Sequence, residues 1–201
     1  MALWNSREED LRGDINDKKK IEKNGVYEVE VKEAYLQNST KSKAQAVTIS
    51  FENEEGYGRI SLWYLKGDGT ENKISQAKLN RMLFLCKTKV ENLKTETKKV
   101  KLYSGEEVER TFLPDIHGKN LGMIILAKDA LDGNGNPTTN LEVLDFFDIK
   151  TQKTAGEIKD NKPAAMVAKK RKEFENALPY ETDKKIKTAT VEEFNDDEFP
   201  F

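Results

Sequence analysis

The chain has 201 residues, 35% of them charged and 36% hydrophobic, which suits one domain of ordinary size with polar tails or two small domains. No apolar run approaches the length of a membrane span, and residues 1–5 lack the basic-then-apolar pattern of a secretion signal. The single cysteine, Cys86, cannot form an internal disulfide, so we expect a cytoplasmic location. Since no apolar run could span a membrane, we expect no membrane partner. The net charge of -2 excludes a strongly basic protein.

Residues 1–23 are dominated by charges and contain one aromatic residue, Trp4. Ile15 and Ile21 favour a short helix, but Gly13 works against it. We expect an N-terminal arm whose Trp4 either packs on the core or stacks on a base.

Three strands are predicted between residues 24 and 65, because apolar and polar residues alternate there with a period of two. The polar residues 37–43 form a loop between the first two strands and carry Lys41 and Lys43. Three antiparallel strands in succession are typical of the start of an OB-like barrel. The apolar positions are Tyr27, Val29 and Val31 in the first strand, Val47, Ile49 and Phe51 in the second, and Ile60, Leu62 and Tyr64 in the third.

A helix is predicted next, with Ser75 as its cap and with Leu79, Met82, Leu83 and Cys86 at helical spacing on one face. Cys86 is therefore expected to be a small buried hydrophobic residue. A helix after the third strand agrees with the order of elements in an OB-fold.

Four further strands are predicted at residues 98–103, 108–113, 121–127 and 141–149. A minimal OB-fold has five strands, so one hairpin is predicted to be an insertion. A second helix is predicted to open at Pro163 and to run through residue 177. We therefore predict a mainly β fold, in which residues 24–150 form an OB-fold-like antiparallel β-barrel with one or two helices. Residues 151–187 are predicted to be a linker with a basic helix.

A groove for single-stranded nucleic acid is predicted on the third strand, because aromatic rings stack on bases inside basic grooves. Alternation places Arg59 and Trp63 on one face of this strand, and Tyr57, Lys41 and Lys43 lie in loops that flank it. An alternative interpretation puts Trp63 in the core and Tyr64 outside. It is favoured by Leu65, an apolar residue that alternation places on the same face as Trp63.

The block Lys169, Lys170, Arg171 and Lys172 lies on the predicted second helix. It could follow phosphates, form an ordinary solvated face, or pair with the acidic end of the chain.

Residues 188–201 contain five acids and no bases, so residues 1–187 carry a net charge of +3. Such a segment has too little apolar surface to fold alone, so we expect a disordered tail. Pro200 restricts Phe199 to an extended conformation, and two exposed rings need a pocket that receives them. The partner-binding residues are predicted to be Asp196, Asp197, Glu198, Phe199, Pro200 and Phe201.

These six residues resemble the acidic tip of bacterial-type single-stranded DNA-binding proteins, which end in acids, an apolar residue, Pro and Phe. Phe199 stands where the bacterial proteins usually carry an aliphatic residue, and the resemblance covers only these residues. It implies an OB-fold that protects single-stranded DNA without sequence specificity, and a tip that recruits replication, recombination and repair proteins. The chain as a whole is similar to phage-encoded proteins of this kind.

An enzyme is not expected, because His117 is the only histidine and no nucleophile arrangement accompanies it. Residues 132–137 lack the required glycine of a calcium loop, and we expect no metal or cofactor. Two alternatives stay open. One is an adaptor or inhibitor that docks only through its tail, and the other is a metal-dependent nuclease that uses Asp145, Asp148 and Glu157. The sequence predicts no oligomeric state.

Overall fold

A computed structural model of the protein describes residues 19–101, 105–131 and 135–176. Within these residues, strands predominate and a 3₁₀ turn spans Val90–Asn92. The strands are β1 (Gly25–Asn38), β2 (Gln45–Glu52), β3 (Tyr57–Leu65), β4 (Glu96–Lys101), β5 (Glu107–Phe112), β6 (Asn120–Leu131), β7 (Pro137–Asp148) and β8 (Lys153–Thr154). The helices are α1 (Lys73–Leu85), α2 (Ala155–Lys159) and α3 (Met166–Asn176).

The strands form one antiparallel sheet in the order β3-β2-β1-β6-β7-β8. The β4–β5 hairpin lies off this path and pairs with the second half of β1. The sheet curls into a half-barrel, so that its β3 edge approaches β7. The predicted mainly β, OB-fold-like class is confirmed. The β4–β5 hairpin lies outside the main strand order and corresponds to the hairpin that we expected to be an insertion. Three helices are found within the described residues, where one or two were predicted.

The barrel core is built from the inner faces of the strands and from one face of α1. A β-bulge between Val31 and Glu33 shifts the register of β1, so that Ala34 continues the buried face. The α1 residues predicted at helical spacing all lie in this core, and Cys86 is buried there as expected. Core side chains with at most 1% exposure include Val31, Ile49, Phe51, Met82, Met123, Ile125, Val143 and Phe146.

The barrel has a seam, which we define as the gap between residues 57–63 of β3 and residues 139–143 of β7. The two strands approach each other, but no strand pairing joins them within the described residues. A Cβ atom at Gly58 would lie 2.7 Å from side-chain atoms of both Phe51 and Leu141. Glycine at this position therefore lets Leu141 reach across the seam into the core.

Side chains from outside β7 hold this strand at both ends of the seam. The Nζ of Lys78 on α1 donates to the carbonyl oxygen of Val143 at 2.7 Å. The Nζ of Lys20 donates to the hydroxyl of Thr138 at 3.1 Å and to the carbonyl of Thr139 at 2.8 Å. Residues 19–21 also extend the sheet, because the N–H of Ile21 donates to the carbonyl of Tyr57 at 2.8 Å. Part of the predicted N-terminal arm is thus built into the barrel.

Both predicted helix starts are wrong. The N-cap of α1 is Asn72, whose side-chain oxygen accepts from the N–H of Ser75 at 3.3 Å. Pro163 does not open a helix, and α3 begins at Met166. The carboxylate of Glu157 accepts from the N–H groups of Ala165 at 2.8 Å and Met166 at 2.9 Å, so a side chain from α2 fixes where α3 starts.

A second, smaller cluster lies between α3 and the outer face of the sheet. Val167 of α3 is 1% exposed and packs with Ile124 and Phe147, and Phe174 adds to the same cluster. This contact places the basic helix of the predicted linker directly on the barrel. None of the helices in the described parts of the chain is long and apolar enough to cross a membrane.

We expect Lys78→Met to lower the free energy of unfolding by about 1.5–3 kcal/mol, because the carbonyl of Val143 loses a bond from a charged donor. Urea denaturation followed by circular dichroism measures the change. Lys73→Met, at an exposed position of the same helix, is the matched control and should change little. Equal effects of the two substitutions would show that Lys78 does not hold the seam.

Candidate nucleic-acid interface

The side chains of β3 separate into an inner and an outer row. Ile60 and Leu62 point inward and are 3% and 5% exposed, whereas Tyr57 is 50% exposed. Trp63 is partly exposed and lies on the outer side with Arg59, while Tyr64 packs against the core. The structure therefore favours the first interpretation of the sequence, with Trp63 outside and Tyr64 inside.

This outer row lines an open groove of about 970 Å³ that follows the seam. Tyr57, Arg59 and Trp63 form its β3 wall, and residues 139–143 form its β7 wall. Lys20 and Lys32 also line it. Three of the five residues predicted to bind DNA are thus brought together in one concave surface.

Trp63 lies on the outer side of the sheet and is partly exposed. Trp63 pairs across the strands with Ala46 of β2, and Ala46 pairs on its other side with Gln37 of β1. Ala46 points to the outer face and is nevertheless 0% exposed, so we infer that Gln37 and the indole cover it. Since Trp63 is partly exposed, part of its ring is accessible from solvent, as base stacking requires.

A small polar network continues from Trp63 across the outer face. The hydroxyl of Thr48 donates to the side-chain oxygen of Gln37 at 2.6 Å and lies 2.9 Å from the hydroxyl of Ser61. Thr48 is 1% exposed, so these bonds satisfy a buried polar group. The network fixes the side chains that surround the indole without placing a charge there.

The charges of the groove are mixed. Lys32 lies 3.0 Å from Glu30 and 3.1 Å from Glu52, and its pKa is raised, first by the hydrogen bond to Glu30 and then by the bond to Glu52. Glu142 contacts Lys128 at 2.5 Å and Lys78 at 3.6 Å. Arg59 is the groove cation with neither an ion-pair nor a hydrogen-bond partner in the part of the chain that the structure describes. Little positive charge is therefore available to a ligand.

Lys41 and Lys43 do not line the groove. They lie in the exposed loop between β1 and β2, at the Trp63 end of β3. The N–H of Lys43 donates to the carbonyl of Gly67 at 3.1 Å, which ties this loop to the one that follows β3. The two lysines therefore lie beyond the Trp63 end of the groove.

The basic block on α3 is largely neutralised where it lies. Arg171 donates to the side chain of Gln152 at 2.9 Å and lies 3.5 Å from Glu28. Lys169 and Lys170 both pair with Glu173, at 3.9 and 2.5 Å. Since α3 covers the outer face of β1 and β6, the block is not part of the seam groove.

The carboxylates proposed for a nuclease have structural partners instead. Asp145 pairs with Arg81 at 3.2 Å. The hydroxyl of Thr151 donates to Asp148 at 2.6 Å, and this bond lowers the pKa of Asp148. Burial pushes the pKa of Glu157 upward, but N–H donors, first that of Met166, outweigh it and hold the pKa below its usual value.

Other candidate reactive groups are also accounted for. Residues 19–101, 105–131 and 135–176 contain no group of three His, Cys, Asp or Glu side chains that could hold a metal ion. The Nδ1 of His117 contacts the carbonyl oxygen of Lys32. Burial raises the pKa of Cys86 to about 11, so the thiol stays protonated at neutral pH.

The six predicted partner-binding residues, 196–201, and Trp4 lie outside the described residues. Comparisons of the chain with models of protein families, with curated proteins and with solved structures found no match.

Trp63→Ala should lower the free energy of unfolding by less than Leu62→Ala does. Leu62 is 5% exposed in the core, and its truncation should cost about 2–5 kcal/mol. Trp63 is partly exposed on the outer row, so its removal opens no core cavity. Urea denaturation of both variants measures the difference, and equal losses would place Trp63 in the core.

Proposed function

We propose that this protein binds and protects single-stranded DNA without sequence specificity during replication, recombination and repair, and that it is not an enzyme. The observation that carries the proposal is the outward row of Tyr57, Arg59 and Trp63 in the seam groove. Every base has a π-face, so stacking on such a row holds a single strand whatever its sequence.

The row has the length that a short single strand needs. Tyr57 and Trp63 lie at opposite ends of it, and at ~3.3 Å per residue they are about 20 Å apart along β3. OB-folds contact about 4–16 nucleotides, so the two rings fit separate bases of one bound strand. Arg59 lies between them and carries the charge that meets the phosphates.

The acidic tip supplies the second part of the proposed function. The resemblance of residues 196–201 to bacterial tips supports the recruitment of replication, recombination and repair proteins. A receiving pocket would be apolar at its base for Phe201, basic at its rim for the acids, and would carry an Arg for the terminal carboxylate. The protein would be phage-encoded and would act in the cytoplasm of a bacterial host.

A tail-only adaptor or inhibitor is the second candidate. The observation that favours it is the ion pairing of the groove, where Lys32 and Glu142 already have partners. Such a protein would bind the same pockets through residues 196–201, but its body would not bind DNA. Nothing in the described residues favours the nuclease, because its three carboxylates have structural partners.

We expect fluorescent single-stranded oligonucleotides to bind the full chain more tightly than duplexes do. Trp63→Ala should weaken single-strand binding by about 1–3 kcal/mol, which is about a five- to 150-fold rise in Kd, because one stack is lost. Fluorescence anisotropy at several salt concentrations measures both effects, with a salt slope of about 0.7 per phosphate contact.

The matched control is Phe84→Ala, which removes a 47% exposed ring from α1, outside the groove. Its affinity should equal that of the wild type. An unchanged affinity of a folded Trp63→Ala variant would remove Trp63 from the site. No binding by the wild type at any salt concentration would leave only the tail-only adaptor.

Deletion of residues 196–201 should abolish binding to a host protein that accepts the tip of the host's own single-stranded DNA-binding protein. Melting temperature should stay nearly constant, because the described core clusters are built from residues 21–174. Single-strand affinity should be equal or slightly higher at low salt, since acids compete with phosphates and are screened beyond about 10 Å at 0.1 M salt. Calorimetry and anisotropy measure the two affinities.

Phe201→Ala alone should remove most of the partner binding, whereas Phe194→Ala in the same tail should not. A peptide of the last six residues should compete with the intact chain. A truncation that keeps its partner but loses DNA would contradict the proposed separation of the two functions.

A further inference from the structure

The β4–β5 hairpin distributes its charges unevenly over its two faces. On one face Lys99 lies opposite Glu109 and Lys101 lies opposite Glu107. On the other face, Lys98 lies directly opposite Arg110. Like charges in directly opposite positions destabilise a strand pair, so this face carries an unfavourable arrangement that the first face avoids.

Arg110 is held by an aromatic ring. Its guanidinium carbon lies 4.6 Å from the centre of the Tyr35 ring, and Phe112 meets the same ring edge-on with centroids 6.0 Å apart. No carboxylate pairs with Arg110 within the described residues, whereas Lys98 pairs with Glu96 at 2.9 Å. A stacked guanidinium keeps its charge and its planar donors available to an anion.

The Arg110 cluster, defined as Arg110, Tyr35 and Phe112, shares a sheet face with Trp63. Tyr35 pairs with Phe112 of β5 on one side and with Thr48 of β2 on the other, and Thr48 pairs with Ser61 of β3. Direct cross-strand partners point to the same face, and Ser61 precedes Trp63 by two residues on that face. Three strand spacings separate β5 from β3, which is about 14 Å along the sheet.

We propose that the Arg110 cluster and Lys98 form a second contact for the single-stranded DNA that leaves the seam groove, with Arg110 binding its phosphates. The proposal rests on the proposed function. It explains why two cations lie opposite each other on this face, since a bound phosphate would lie between them and remove their repulsion. It also gives the inserted hairpin a role that the barrel itself does not require.

The path between the two contacts favours this assignment. It crosses the Thr48–Ser61 pair and Ala46, which are small and uncharged. Two carboxylates border it, and one of them, Glu96, is paired with Lys98. The other is Glu33, which lies opposite Ser50 in the next row. A strand that follows the neutral row meets Arg110 without passing over a carboxylate.

The test compares oligo(dT) of about 6 nucleotides, near the lower end of the site sizes of one OB-fold, with oligo(dT) of about 20 nucleotides, which exceeds them. The short oligonucleotide fills the groove, and only the long one reaches β5. Arg110→Ala should raise the Kd of the long oligonucleotide about tenfold, as expected for the loss of one charge-assisted contact, and leave that of the short one unchanged. The salt slope for the long oligonucleotide should fall by about 0.7.

Lys99→Ala is the matched control, because it removes one cation from the opposite face of the same hairpin. It should leave both affinities unchanged. Lys98→Gln is the second test variant, since it touches neither ring and should weaken only the long oligonucleotide. If Arg110→Ala lowers the melting temperature, binding of the long oligonucleotide by Lys98→Gln decides whether the second contact exists.

Each other outcome has a definite meaning. If Arg110→Ala binds the long oligonucleotide as well as the wild type does, this inference is overturned. If Arg110→Ala is destabilised, unchanged binding by Lys98→Gln overturns it instead. The proposed function survives either result when Trp63→Ala still weakens binding of the short oligonucleotide. Equal weakening of both lengths, or an equal effect of Lys99→Ala, also overturns this inference. If the wild type binds neither oligonucleotide, the proposed function fails and this inference fails with it.

Discussion

The meeting of β3 and β7 without a backbone ladder determines where the barrel has an open groove. β3 and β7 approach each other without pairing; Lys20 joins the two strands at one end of the seam, and Lys78 ties β7 to α1 at the other. Between these contacts, Gly58 admits Leu141 and the core stays sealed. On the outside, the same gap leaves a groove that a fully paired barrel would not have. Unpaired strand edges can pair with other chains and cause aggregation, so the two strand edges at the seam need to be covered even though they do not pair with each other.

The core fixes the outer row of β3. Ile60 and Leu62 are buried, and since side chains alternate along a strand, their burial forces Arg59, Ser61 and Trp63 outward. A register shift of one residue would bury Arg59 and expose Leu62, which the apolar core strongly opposes. The groove residues therefore need no loop to position them, and a rigid sheet presents the indole.

The sequence predicts those features that depend on local periodicity. The strand pattern and the face of Trp63 follow from alternation, and the Cys86 side of α1 follows from helical spacing. The two helix starts were wrong because Asn72 competes with Ser75 as a cap and because Glu157, from another helix, fixes the start of α3. β8 has two residues and is too short for any periodicity to show.

Contacts between elements distant in sequence could not be predicted. Arg110 on Tyr35 depends on how the inserted hairpin docks on β1, and no spacing signals it. The ion pairs of Lys32 with Glu52 and of Arg171 with Glu28 likewise exist only in the folded sheet. They change the meaning of the charge count, because a carboxylate partner reduces the positive charge that a lysine or arginine offers to a phosphate.

This limited free charge determines how the body and the tail can coexist in one chain. A groove lined by many unpaired cations would attract five carboxylates of its own tail as strongly as it attracts DNA. Here Arg59 is the unpaired groove cation among the described residues, and the rings of Tyr57 and Trp63 provide contacts that a carboxylate cannot imitate. Under the proposed function, stacking supplies an attraction to DNA that does not depend on charge. An acidic tail can then share one chain with such a groove, because the groove would rely on rings more than on charge.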